Sequence, residues 1–230
     1  MPNLLAIDTT DFSISLALMR SGAIVAERRI SDSGIAEHLM SNIQSLLREG
    51  EIGFDDLNKI AVIVGPGSYT GIRSGLATVI GICSGTAGNI QVVPISKLQA
   101  QAFFISKESQ NPKIVFSLLT ANTSEYFAGA YYCRSNHVDE IVAPTSVLKS
   151  ELGTFTQNAL VGFEKSIGSD SGNLADLSVE IIDADVNFAS IAATMADAIT
   201  ETTSINDLKP LYIKPVNAKT LAERQKGLDI

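Results

Sequence analysis

Residues 60–85 read Ile60-Ala-Val-Ile-Val-Gly65-Pro-Gly-Ser-Tyr-Thr70-Gly-Ile-Arg-Ser-Gly75-Leu-Ala-Thr-Val-Ile80-Gly-Ile-Cys-Ser-Gly85. An uninterrupted apolar run, a Gly/Pro/Ser loop and a long small-and-apolar segment predict a buried strand, a tight turn and a helix from Gly71 to about Ala87. Such a turn presents unpaired amides at a helix start, where an anion is favoured, and Ser68 and Thr70 are candidate N-caps. A purely structural turn explains the same residues. No lysine follows Gly71 as a Walker loop requires, the glycine spacing misses the dinucleotide fingerprint by one residue, and Arg73 is the one nearby cation.

The helix has two unlike sides. At 100° per residue Ile72, Leu76, Val79, Ile80 and Cys83 share an apolar arc expected to face the core. Gly71, Ser74, Gly75, Thr78, Gly81 and Gly85 lie opposite, with Ile82 the one bulky member. Three interior glycines cost a helix roughly 3 kcal/mol relative to alanine, so close approach of another backbone is expected to offset them. That backbone belongs either to this chain or to a partner.

Working outward, Leu4–Ile7, Ser13–Leu18 and Ala23–Ile30 read as a strand meander. Ile35 to Glu49 reads as a helix with Ile35, Leu39, Met40, Ile43, Leu46 and Leu47 on its apolar arc and Gly50 as its stop. Strands at Lys59–Val64 and Ile90–Ile95 alternate with the helix after Gly67 and a helix over Ser96–Ile105, implying parallel strands beside the meander. Polar Ser106–Pro112 is the expected lobe boundary, giving lobes 1–105 and 106–230. Beyond it, Ile114–Leu119, Glu125–Cys133 and His137–Val142 read as strands, Ala159–Gly162 and Val179–Ile182 as short ones, and Phe188 to about Glu201 as a helix packing on either lobe. Gly162–Asp176 reads as a surface loop and Lys219–Ile230 as an exposed charged tail. The class is α/β with two lobes.

Seventeen basic against 25 acidic side chains give a formal charge of −8, which opposes autonomous nucleic-acid binding. Cys83 and Cys133 form no C-x-x-C pair and sit in apolar runs, as buried thiols of a reducing compartment do. The N-terminus shows no basic leader and no stretch of membrane-spanning length, so the expected address is the cytoplasm.

Candidate chemistry is sparse. The two histidines, His38 and His137, stand in different halves, which rules out a two-histidine metal helix, and His38 projects from the polar side of its helix beside Asn42. Asp8, at the end of the first strand, either organises phosphate with Thr9 and Thr10 or caps the turn through them. Neither cysteine has a histidine beside it in sequence to activate it.

Gly65-Pro66-Gly67-Ser68-Tyr69-Thr70-Gly71-Ile72-Arg73, after Ile7-Asp8-Thr9-Thr10, resembles the TsaB (YeaZ) family. Glu37-His38-Leu39, Val93-Pro94-Ile95-Ser96-Lys97-Leu98 and Pro210-Leu211-Tyr212-Ile213-Lys214-Pro215 add to the likeness. The chain departs from the family's usual Leu-Asp-Ala-Arg at Leu119-Thr120-Ala121-Asn122, and Lys214 stands where an arginine is usual. The resemblance implies a two-lobe actin-like ATPase fold with a degenerate nucleotide site. It also implies a non-catalytic subunit that binds and activates a TsaD-like transferase forming N6-threonylcarbamoyladenosine on tRNA, with a TsaE-like ATPase in the same assembly. Partner contacts are then expected at His38, Asn42, Gly71, Ser74, Gly75, Thr78, Gly81, Ile82 and Gly85, with homodimerisation in isolation. Vestigial nucleotide contacts are expected at Asp8, Thr9, Thr10, Gly67, Ser68, Tyr69, Thr70 and Arg73, with no metal or cofactor of the chain's own and ATP or ADP held weakly or at the partner junction. The competing function is a small-molecule kinase or ATPase of the same fold. A stand-alone peptidase finds no metal-ligating pattern.

Overall fold

The computed structural model describes residues 2–31, 35–107, 112–134, 137–167 and 186–214. Five strands, β1 (Asn3–Asp8), β2 (Ile14–Arg20), β3 (Ala23–Ile30), β4 (Lys59–Gly65) and β5 (Gln91–Ser96), form one sheet in the order β3-β2-β1-β4-β5. The meander pairs antiparallel, whereas β4 and β5 add parallel to β1. Strand β1 is buried on both sides: Leu5 and Ile7 point to one face, Leu4 and Ala6 to the other.

The first face is covered by α1 (Ile35–Glu49) and α2 (Tyr69–Gly85). Leu39, Ile43, Leu46 and Leu47 of α1 enter that core, but Met40, expected on the arc, is 39% exposed. The second face is covered by α3 (Lys97–Ser106) and α5 (Phe188–Ala198). Asn187 caps α5, its Oδ1 accepting from the Ala189 and Ser190 amides.

A second, antiparallel sheet joins β6 (Lys113–Thr120), β7 (Glu125–Arg134) and β8 (His137–Leu148), with α4 (Leu152–Ile167) against it. Helix α3 is buried nearly all round because it serves both sheets. Ala100 and Phe103 face the first, and Leu98, Ala102 and Ile105 meet Val115, Tyr131 and Cys133 of the second. This two-sheet α/β organisation is the class expected from the sequence.

Four expectations change. Ala159–Gly162 lies inside α4, since a short apolar run does not by itself distinguish strand from helix. The helix likewise runs through Ile167 where a loop was expected, and β8 continues to Leu148. Fourth, α2 is rotated by roughly 50° from the orientation its bulky residues suggest, at 100° per residue. Ile82 is buried at 4% while Ile80 is 37% exposed. The expected strand Val179–Ile182, the loop beyond residue 167 and the tail Lys219–Ile230 lie outside the described residues.

Candidate functional site

Because β1 and β4 run parallel, the turns that follow them meet. Ser68 caps α2 by accepting from the Gly71 amide at 3.2 Å, and its own amide donates to the Thr10 carbonyl at 2.7 Å. Thr70 lies within the helix and caps nothing. The hydroxyl of Thr9 donates to the Gly71 carbonyl at 2.7 Å. A Cβ on Gly71 would overlap the Thr9 carbonyl oxygen, and one on Gly75 the Thr9 hydroxyl.

This contact explains the rotation of α2 and corrects the expected partner face. Gly71, Gly75 and Ile82 turn inward, the two glycines against the chain's own β1–β2 turn and Ile82 into the core. Gly81 and Gly85 have open space around them, and Ser74 and Thr78 are half-buried. The outward side of α2 is therefore Arg73, Ala77, Ile80, Gly81, Ser84 and Gly85. On α1, His38 is exposed, whereas Asn42 is engaged internally, donating to the His38 carbonyl at 2.8 Å and accepting from Arg28 at 3.3 Å.

Asp8, Thr9 and Thr10 are all buried. One Asp8 carboxylate oxygen accepts from the Thr10 amide at 2.8 Å and from the Thr10 hydroxyl at 2.6 Å, the turn-capping arrangement. The other faces a residue that sequence reading passed over. Lys97, first in α3 and 1% exposed, donates to the Thr10 hydroxyl at 3.0 Å. Its ammonium lies 3.4 Å from Asp8 Oδ2, pairs closely with Asp11, and sits 4.7 Å from the centre of the Phe188 ring. A lysine in the first turn of a helix opposes the helix dipole, and that was the signal available in the sequence.

The oxygens that a metal-bound phosphate would require at this turn are thus already engaged by a buried ammonium. The turn's residues do not fit a metal–nucleotide. Gly67, Ser68 and Thr70 remain exposed on the outer side.

A strap formed by residues 208–214 crosses beside the glycine loop. The Leu211 amide donates to the Val64 carbonyl at 2.8 Å, and the Tyr212 ring stacks on Tyr69 with 5.0 Å between centroids. Arg73 lies 4.0 Å from the Tyr69 ring centre and donates from Nε to the Tyr212 hydroxyl at 2.9 Å. The cation expected to meet phosphate is therefore committed to the strap. Lys214 pairs with Glu125 of β7, and Asn122 donates to the same carboxylate at 2.5 Å. The Lys214 hydrogen bond first, then that of Asn122, hold the Glu125 carboxyl below the usual glutamate range. Thr120 ends β6 and takes no part in this contact set.

His137, exposed, lies 2.9 Å from Asp139, far in sequence from His38. Among the described residues no group of three or more His, Cys, Asp or Glu side chains could hold a metal ion, and no helix is long and apolar enough to cross a membrane. Burial pushes the Cys133 thiol up to about 12 and raises that of half-buried Cys83.

Fold and turn together define a two-sheet α/β protein whose strand–turn–helix loop is closed from within and whose second helix shows small residues outward. A family model described as TsaD, tRNA N6-adenosine threonylcarbamoyltransferase, matches residues 29–223, and the chain belongs to that family, where it is similar to the TsaB (YeaZ) proteins. It is 25% identical over 149 residues to the tRNA threonylcarbamoyladenosine biosynthesis protein TsaB of Bacillus subtilis, covering 64% of this chain and 63% of that protein, less than two thirds of its length. With the Escherichia coli TsaB it shares 23% identity over 221 residues, covering 92% and 94%. The solved structure of YeaZ from Pseudomonas aeruginosa superposes with a TM-score of 0.68 at 19% identity, covering 92% of this chain and all of that one, which shows a common fold.

Proposed function

We propose that this chain is a non-catalytic subunit that binds and activates a TsaD-like transferase in forming N6-threonylcarbamoyladenosine on tRNA, with a TsaE-like ATPase joining the assembly. The observation that carries the reading is the Lys97 ammonium seated among Asp8, Thr10 and Asp11, which commits the turn to a structural role. Chemistry then belongs to a partner, and nucleotide to the partner junction. The names of the relatives support the pathway. The outward side of α2, with Ala77, Ile80, Gly81, Ser84 and Gly85, and exposed His38 and Met40 of α1, supply the docking face, and the isolated chain pairs with itself through that face. The setting is the cytoplasm.

Co-expression with a tagged TsaD-like subunit tests this. Gly81→Leu and Gly85→Leu are expected to abolish co-purification with an unchanged circular dichroism spectrum, because neither position touches the chain's own residues. Retention of the partner by both variants refutes the docking face, and ATP turnover by the isolated chain refutes the non-catalytic role.

A further inference from the structure

The turn after β1 carries a permanent cation instead of an exchangeable one. We propose that Lys97 is a tethered counter-ion standing in for a divalent metal at the Asp8–Asp11 turn, so that this chain holds the turn, and the α2 helix packed on it, in one metal-independent arrangement. An ammonium has three donors and no acceptor. Here three oxygens meet it, Thr10 Oγ1, Asp8 Oδ2 and Asp11 Oδ2, and the Phe188 ring closes a fourth side. Two carboxylates and a hydroxyl are also the hard oxygen donors that Mg²⁺ or Mn²⁺ select. A cation delivered on the chain's own helix has an effective concentration that a free ion does not match, and it needs no hydration shell removed at each encounter.

The consequence reaches the docking helix. Lys97 fixes the turn through Asp8 and Thr10, and Thr9 and Thr10 in turn meet Gly71, Gly75 and the Ser68 amide. Helix α2 is thus set by a residue of α3 on the opposite face of the sheet.

The test uses the full chain and Mn²⁺ as probe. Wild type is expected to show no change in melting temperature with millimolar Mn²⁺, and its Lys97 ammonium resonance no paramagnetic broadening. Lys97→Ser strands the buried Asp8 carboxylate beside the half-exposed Asp11, so its folding constant should fall about 100-fold or more, the scale of a buried ion pair broken on one side. Mn²⁺ should restore about tenfold or more of that loss, as mass action requires of an ion present well above its dissociation constant. Asp8→Asn/Lys97→Ser should gain nothing from Mn²⁺. Broadening of the wild-type Lys97 signal, equal Mn²⁺ response in the double variant, or a Lys97→Ser chain that Mn²⁺ neither binds nor refolds from urea would each overturn the proposal. None of these readings involves the partner, so failure here is distinguishable from failure of the docking face.

Discussion

Replacing Gly71 and Gly81 separately by alanine should move stability in opposite directions, although both lie within α2 and both replacements favour a helix by up to about 1 kcal/mol. At Gly71 the new methyl would overlap the Thr9 carbonyl oxygen and approach its carbon to 3.1 Å and Ser68 Cβ to 3.3 Å. The opposing atoms are largely backbone and cannot rotate away, so the strain is at the upper end of overpacking, about 3 kcal/mol. Pushing Thr9 aside also breaks its hydrogen bond to the Gly71 carbonyl, worth about 1 kcal/mol, which cancels the propensity gain. The net loss is about 3 kcal/mol, or a melting temperature lower by about 6–12 °C for a chain of this size. At Gly81 nothing lies within 4 Å, so the propensity gain stands alone and melting should rise by about 2–4 °C. Denaturant and thermal unfolding followed by circular dichroism measure both. Equal tolerance of the two substitutions, or destabilisation by Gly81→Ala, would refute the assignment of inward and outward sides to α2.

Lys59, mostly buried, donates to the Ala196 and Ile199 carbonyls at 2.8 and 2.9 Å, closing the end of α5. Lys59→Met should cost about 2 kcal/mol in a urea titration by leaving buried acceptors unpaired. Glu125 is held below its ordinary value, so its contribution is present above the usual glutamate range and is lost as pH falls through the depressed value. Its carboxyl should titrate low by NMR in wild type and shift upward in Lys214→Ala. Cys133, buried and with its thiol near 12, should resist a disulfide reagent at pH 8 in the native chain and react on unfolding, with Cys83 slow but measurable.

Much of the fold was legible because its signals are local. The meander, the alternation after it and the turn at Gly65–Ser68 follow from apolar runs broken by Gly, Pro and Ser. The error at Ala159–Gly162 arose where a four-residue apolar run has no period of its own. For the candidate site, Ser68 was legible as a helix cap and Asp8 and Thr10 as partners in the turn after β1, but not that the two turns meet. Lys97 was not, because its partners lie at the end of β1 and in the turn after it, far away in sequence, and no spacing rule connects them. The strap was visible as a motif, Pro210 to Pro215, but its stacking on Tyr69 and its hydrogen bond to Val64 are long-range events.

Residue order alone determined that a glycine-bearing helix follows a buried strand, since periodicity and turn chemistry act within a few residues of each other. It also required that something lie close to those glycines, because their cost to the helix has to be offset. Only the tertiary structure decided what that neighbour is. Thr9 arrives from the turn that follows the adjacent parallel strand and claims Gly71 and Gly75, leaving Gly81 and Gly85 bare. Which side of a helix is spent on its own protein depends on contacts between segments distant along the chain, and those exist only once the sheet has formed.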